Sequence, residues 1–137
     1  DVKKVKNALE APGDAVVIGG GVLGLEAAWE LHREGRKVTV LEVADRLLAG
    51  KADTAVSEML SAAAKAQGIT IRTGAVISQI TGQGAVTGVT LADGETLPAV
   101  LVVVSCGIRA APCRWTTRCA PAPPIFSPAA TAPNTRA

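Results

Sequence analysis

One short segment restricts the fold more than any other: a glycine-rich turn between a predicted strand and a predicted helix. The β-branched run 15–18 is followed at once by the pattern G-x-G-x-x-G, and a run of helical period then extends to about residue 34. In such a turn Gly19 permits the tight bend, Gly21 lets a pyrophosphate approach the backbone, and Gly24 lets the helix pack closely on the sheet. The pattern predicts a dinucleotide-binding unit, with the diphosphate at the positive end of the helix.

An acidic residue follows at a suitable distance. The run 37–42 is predicted to be the second strand, and Glu42 lies at its end, 18 residues after Gly24. A carboxylate there can accept hydrogen bonds from both hydroxyls of an adenosine ribose and repels a 2′-phosphate, which favours NAD(H) over NADP(H). Two alternatives remain open at this point. The first is that Glu42 only ends a strand in solvent and binds nothing. The second is that Arg46, otherwise a solvated loop charge, contacts a 2′-phosphate.

The remaining elements up to residue 110 define the fold class. A helix is predicted over 53–67, and strands are predicted over 69–72, 75–80, 86–91, 95–97 and 100–105. Strands that alternate with helices through right-handed crossovers form a parallel sheet. We therefore predict an α/β fold with a doubly wound, Rossmann-like parallel sheet and an inserted antiparallel β-meander.

Composition divides the chain near residue 110. All 14 glycines lie before that point, and six of the eight prolines lie after it. We predict an NAD(H)-binding domain over 1–110 and a Pro/Ala-rich, disordered tail over 111–137. A net charge of +2 and only 2% aromatic residues argue against nucleic acid as a partner. The apolar runs are shorter than a membrane helix, and three cysteines without a CxxC pair favour a cytoplasmic protein.

The segments 19–28, 38–42 and 44–48 together resemble the NAD-binding domain of the FAD-dependent pyridine nucleotide-disulfide oxidoreductases. The segments 91–94 (L-A-D-G) and 102–109 (V-V-V-S-C-G-I-R) match later signatures of that family. The likeness is nearest to the branch that holds the large subunit of assimilatory nitrite reductase and rubredoxin reductase. It implies that bound NADH passes a hydride to a flavin, which hands electrons to an acceptor partner, and that Gly107 lies beside the nicotinamide. The predicted cofactor-binding residues are Gly19, Gly20, Gly21, Val22, Leu23, Gly24, Glu42 and Gly107, with no catalytic residue and no metal ligand.

The resemblance also implies parts that are not readable in this sequence. The flavin domain's own glycine motif is one of them, so FAD is implied by the family while its binding site is absent, and we expect an inactive fragment. With the frame moved back by one nucleotide, residues 125–136 permit D-I-F-A-S-G-D-C-A-E-H-A, which resembles the family's flavin-binding segment. We hypothesise that the tail is a frameshifted remnant. A nucleotide-binding or interaction domain without redox chemistry is the alternative function, and a methyltransferase is a more distant one.

Overall fold

The computed structural model describes residues 12–107, together with Asn7 and Glu10. The elements are Ala15–Ile18 (β1), Val22–Arg33 (α1), Val38–Leu41 (β2), Thr54–Ala66 (α2), Thr70–Arg72 (β3), Ile77–Gln83 (β4), Ala85–Leu91 (β5), Thr96–Pro98 (β6) and Leu101–Val104 (β7). This is the predicted order of elements. The tail predicted over 111–137 lies outside the described residues.

Four strands form a parallel sheet in the order β3-β2-β1-β7. Val16 of β1 lies opposite Thr39 of β2 on one side and Val102 of β7 on the other. The chain leaves β1 towards β2 and β3 and then returns to the other side of β1. The strand order therefore reverses between β1 and β7, and the crevice at the carboxyl ends of those strands is where open α/β sheets bind ligands.

The two faces of this sheet are covered by different layers. On one face, Ala15 and Val17 of β1 pack with Ala28 and Leu31 of α1. On the other face, Val16 and Ile18 belong to a core with Val89, Leu91 and Ala99, which come from the antiparallel sheet β4-β5-β6 and the residues that follow it. The predicted fold class is confirmed, and the meander is the layer that covers the second face of the parallel sheet.

The hairpin between β4 and β5 extends closer to its turn than predicted, since β4 runs over Ile77–Gln83 and β5 over Ala85–Leu91. β4 ends at Gln83 instead of residue 80, because Gln83 still pairs with Ala85 across the turn. Gly82 makes this close pairing possible: its φ is +153°, and a Cβ there would collide with the Ala85 carbonyl. Neither helix in the described ranges is long and apolar enough to cross a membrane.

An ion pair links the antiparallel sheet to the parallel one. Arg72 at the end of β3 donates from Nη2 to Oε2 of Glu95, just before β6, at 2.7 Å. This hydrogen bond holds the pKa of the Glu95 carboxyl below its ordinary value. The pair therefore contributes stability that is complete above the usual glutamate pKa of about 4.3 and is lost as the pH falls through the lowered pKa of Glu95.

We expect Glu95→Gln to lower the melting temperature slightly at neutral pH and to have no effect in acid. The neutral-pH effect is small because both side chains are partly exposed to solvent. Thermal unfolding of wild type and variant between pH 7 and pH 2 measures the difference. A difference that stayed constant over this range would show that the ion pair does not stabilise the fold.

Candidate functional site

The carboxyl ends of β1, β2 and β7 open into a cavity of about 870 Å³. Its walls come from five separate stretches: the end of β1 with the turn that follows it, the end of β2, Lys51 in the loop before α2, the chain around the start of β4, and the end of β7 with the residues that follow it. The lining residues are Ile18, Gly19, Gly21, Val22, Leu23, Leu41, Glu42, Val43, Lys51, Val76, Ile77, Ser78, Gln79, Ile80, Val104, Ser105, Cys106 and Gly107. Most of these are apolar, and such a cavity suits an organic ligand held by a few polar groups.

Two of the predicted glycines are required by the packing of the protein itself. Gly19 has a φ of +112°, and a Cβ there would lie 2.5 Å from the Ser105 carbonyl oxygen. Gly24 is buried, and a Cβ there would collide with the Gly19 carbonyl oxygen. The absence of both side chains lets β1, α1 and the end of β7 meet at one corner.

Gly21 is different, because the protein does not require a glycine there. Its φ of −80° and ψ of −179° are ordinary for any residue, and a Cβ at this position would meet nothing within 4 Å. Gly21 lines the cavity. The missing side chain therefore leaves space for a ligand to approach the backbone.

The space beside Gly21 adjoins the N-terminus of α1. No side chain caps this helix, and its first turn has no acidic residue. Leu25 donates to the Gly21 carbonyl at 3.0 Å, and the earlier N–H groups of the helix precede the first intrahelical hydrogen bond. Val22 and Leu23 are 60% and 71% exposed and form part of the cavity wall. This end of the helix presents free N–H groups and positive potential to an anion.

Glu42 lies half-buried on the other side of the turn. Its Oε2 accepts a hydrogen bond from the Gly20 N–H at 2.6 Å, and its Oε1 accepts one from the Ala44 N–H at 2.9 Å. A carboxylate offers about four lone-pair sites, so about two remain for further donors. Because the side chain is held by two backbone groups and lines the cavity, Glu42 is not simply a solvated strand end.

The structure brings six of the eight predicted residues to the cavity wall and leaves two behind it. The six are Gly19, Gly21, Val22, Leu23, Glu42 and Gly107. Gly107 has a φ of +77°. Gly20 and Gly24 face the protein instead, Gly20 towards Glu42 and Leu47 and Gly24 towards Gly19.

Two other charged residues, one of them the alternative phosphate contact Arg46, do not line the cavity. Arg46 forms an ion pair with Asp45, with 3.3 Å between Nη1 and Oδ1. Glu26, which lies further along α1, is exposed. Within the described residues, no group of three His, Cys, Asp or Glu side chains is placed to hold a metal ion. Cys113 and Cys119 lie outside that part of the chain.

The sequence-based prediction placed the end of the last strand too late and missed several cavity residues. A strand was predicted over 100–105, but β7 ends at Val104, and Cys106 is exposed beyond that end. Lys51 is the one cation among the described residues that line the cavity. The wall formed by residues 76–80 comes from the packing of the second sheet, for which the sequence has no local signal.

The chain is similar in sequence to a known protein family and to several of its members. Residues 1–114 match the family model described as pyridine nucleotide-disulphide oxidoreductase. The chain is 39% identical over 104 residues to a ferredoxin–NAD(P)(+) reductase of Sphingomonas sp., covering 74% of this chain and 25% of that protein. It is 35% identical over 108 residues to a rubredoxin–NAD(+) reductase of Pseudomonas putida, covering 78% of this chain and 28% of that protein.

A solved structure extends the similarity to three dimensions. The covalent complex of putidaredoxin reductase with putidaredoxin matches with a TM-score of 0.72 and 34% identity, over 78% of this chain and 26% of that one. The chain therefore spans about a quarter of the length of these relatives.

Proposed function

This chain belongs to the pyridine nucleotide-disulphide oxidoreductase family, and from that membership we propose that residues 12–107 form an NADH-binding domain. The observation that carries the proposal is the open space at Gly21, which faces an apolar cavity at the N-terminus of a helix. A glycine that the protein's own packing does not need is best explained by a ligand that does need it. The methyltransferase alternative has no comparable support.

Each part of NADH then has a suitable environment. The diphosphate lies against Gly21 and the free N–H groups of α1, and the adenosine ribose donates to the unused lone pairs of Glu42. The nicotinamide lies towards Gly107, where the exposed Val104 contributes apolar wall. Apolar walls exclude water from the reactive ring and so protect the hydride from side reactions.

FAD does not fit the described residues together with NADH. The part of the chain that the structure describes has one glycine-rich turn between a strand and a helix, and that turn accepts one diphosphate. We therefore propose that this domain holds the hydride donor and that the flavin is held outside residues 12–107. NADH would transfer its C4 hydrogen with two electrons to that flavin and leave as NAD⁺, and the chain alone would bind NADH without turnover.

For the final acceptor we propose a small iron–sulphur electron carrier. The support is that the relatives reported above are named for ferredoxin, rubredoxin and putidaredoxin. The likeness to the nitrite reductase large subunit stays a prediction, since none of those relatives carries that name. A cytoplasmic location is also a proposal, supported by the cysteine content of the sequence.

Titration of the full chain with NADH and with NADPH, followed by an absorption spectrum, tests the proposal. We expect saturable binding of NADH, weaker binding of NADPH, and no yellow flavin in the purified protein. Binding of neither dinucleotide would contradict the proposal and favour an interaction domain without redox chemistry.

Glu42→Ala is expected to weaken NADH binding by about 1–3 kcal/mol, the value of the lost hydrogen bonds to the ribose. The affinity for NADPH should fall less than the affinity for NADH, or should rise, because the variant lacks the charge that repels a 2′-phosphate. Titration of wild type and variant with both dinucleotides measures the two changes. Asp45→Ala is the matched control, because Asp45 is an exposed carboxylate in the same loop that pairs with Arg46. Unchanged NADH affinity in Glu42→Ala would refute the assigned role.

A further inference from the structure

We propose that Glu42 positions the phosphate-binding turn as well as contacting the ribose. Together with Leu47 and Leu48 it clamps the Gly20 peptide, so recognition of the sugar and recognition of the diphosphate share one carboxylate. This inference rests on the proposed NADH-binding function of the same cavity.

The Gly20 peptide is held on three sides. Its N–H donates to Glu42 Oε2 at 2.6 Å, a short hydrogen bond to a charged acceptor. Its carbonyl accepts from the Leu48 N–H at 3.0 Å. Its Cα faces the fully buried Leu47, whose Cδ2 would lie 2.6 Å from a Cβ at Gly20. All three contacts come from the loop after β2.

The backbone conformation of Leu48 is intrinsically unfavourable, which shows that contacts with the rest of the protein fix this loop. Leu48 has a φ of +52°, which makes it the one non-glycine residue with a positive φ among those described. Such a conformation costs about 1 kcal/mol or more for a branched side chain and persists where the surroundings fix it. The Leu48 carbonyl accepts from the N–H groups of Lys51 at 2.8 Å and Ala52 at 3.0 Å. These contacts orient the Leu48 N–H towards Gly20.

The clamp acts on the residue that immediately precedes Gly21. Because the second oxygen of Glu42 is fixed by the Ala44 N–H, the carboxylate cannot move without releasing one of its backbone partners. If Glu42 acted only through its charge, it would weaken diphosphate binding, since a carboxylate near a diphosphate repels it. Removal of Glu42 therefore changes diphosphate affinity in opposite directions under the two hypotheses.

The experiment uses 2′,3′-dideoxy-ADP, a diphosphate without the hydroxyls that Glu42 would bind. We expect Glu42→Ala to weaken its binding to the full chain by roughly tenfold, the effect of losing one charged hydrogen bond. Glu42→Gln should lie in between, because its remaining carbonyl oxygen can accept from Gly20. Asp45→Ala, the matched control, should bind as tightly as wild type or more tightly. Unchanged or tighter binding in Glu42→Ala would overturn the clamp.

Amide hydrogen exchange provides a second readout that needs no ligand. By NMR of the free protein, we expect the Gly20 amide to exchange about tenfold faster in Glu42→Ala than in wild type, with Glu42→Gln in between. Equal exchange rates would also overturn the clamp. Should wild type bind neither NADH nor the dideoxy compound while exchange still responds, the proposed function fails and the clamp remains as a property of the fold.

Discussion

Gly21→Val is expected to weaken NADH binding by roughly a hundredfold or more while leaving the fold intact. The valine side chain meets no protein atom at its Cβ and adopts an ordinary backbone conformation, so it projects freely into the cavity. There it occupies the space that the diphosphate needs to reach the first N–H groups of α1. Overlap with a well-packed ligand costs about 3 kcal/mol or more, which corresponds to a loss of affinity of roughly a hundredfold.

Two measurements separate this steric effect from a loss of structure. The melting temperature of Gly21→Val should fall only modestly, because valine is a poorer N-cap than glycine by about 1 kcal/mol. Gly21→Ala should bind NADH with intermediate affinity, since its side chain is smaller. Retention of wild-type NADH affinity by Gly21→Val would mean that the diphosphate does not lie at this turn.

The parallel sheet could be predicted because its signals are local. The short β-branched runs alternate with helical periods, and both faces of β1 are buried, which is why Val16 and Val17 are equally apolar although they face different layers. The corner at Gly19 and Gly24 was predictable for the same reason. Its glycines are adjacent in sequence to the strand and helix that they bring together.

The far wall of the cavity could not be predicted in this way. Ile77 and Ile80 reach the site because the antiparallel sheet packs across the parallel one, and nothing near them in sequence indicates that contact. The exposure of Cys106 depended on where β7 stops, and strand ends are fixed by pairing partners rather than by the residues themselves. The hydrogen bond from Gly20 to Glu42 likewise joins residues that are 22 apart in the chain.

Gly24→Ala is expected to destabilise the protein by about 3 kcal/mol, the opposite of what helix propensity alone predicts. In an exposed helix this substitution stabilises by about 1 kcal/mol, because glycine loses more backbone entropy on folding. At position 24 the new Cβ collides with the Gly19 carbonyl oxygen and lies 3.1 Å from the Gly19 carbonyl carbon. Both are backbone atoms that cannot rotate away, so α1 must shift from β1. The destabilisation from overpacking of this kind exceeds the stabilisation from the higher helix propensity of alanine.

Urea unfolding of wild type and Gly24→Ala measures this cost. Glu26→Ala, on an exposed position of the same helix, is the control for propensity and should change the free energy of unfolding by no more than about 0.5 kcal/mol. NADH binding by Gly24→Ala should weaken as well, because a displaced α1 carries its N-terminal N–H groups away from the diphosphate. A Gly24→Ala protein as stable as wild type would mean that α1 does not meet β1 at this corner. The position of Gly21 beside the cavity depends on that contact and would then be wrong as well.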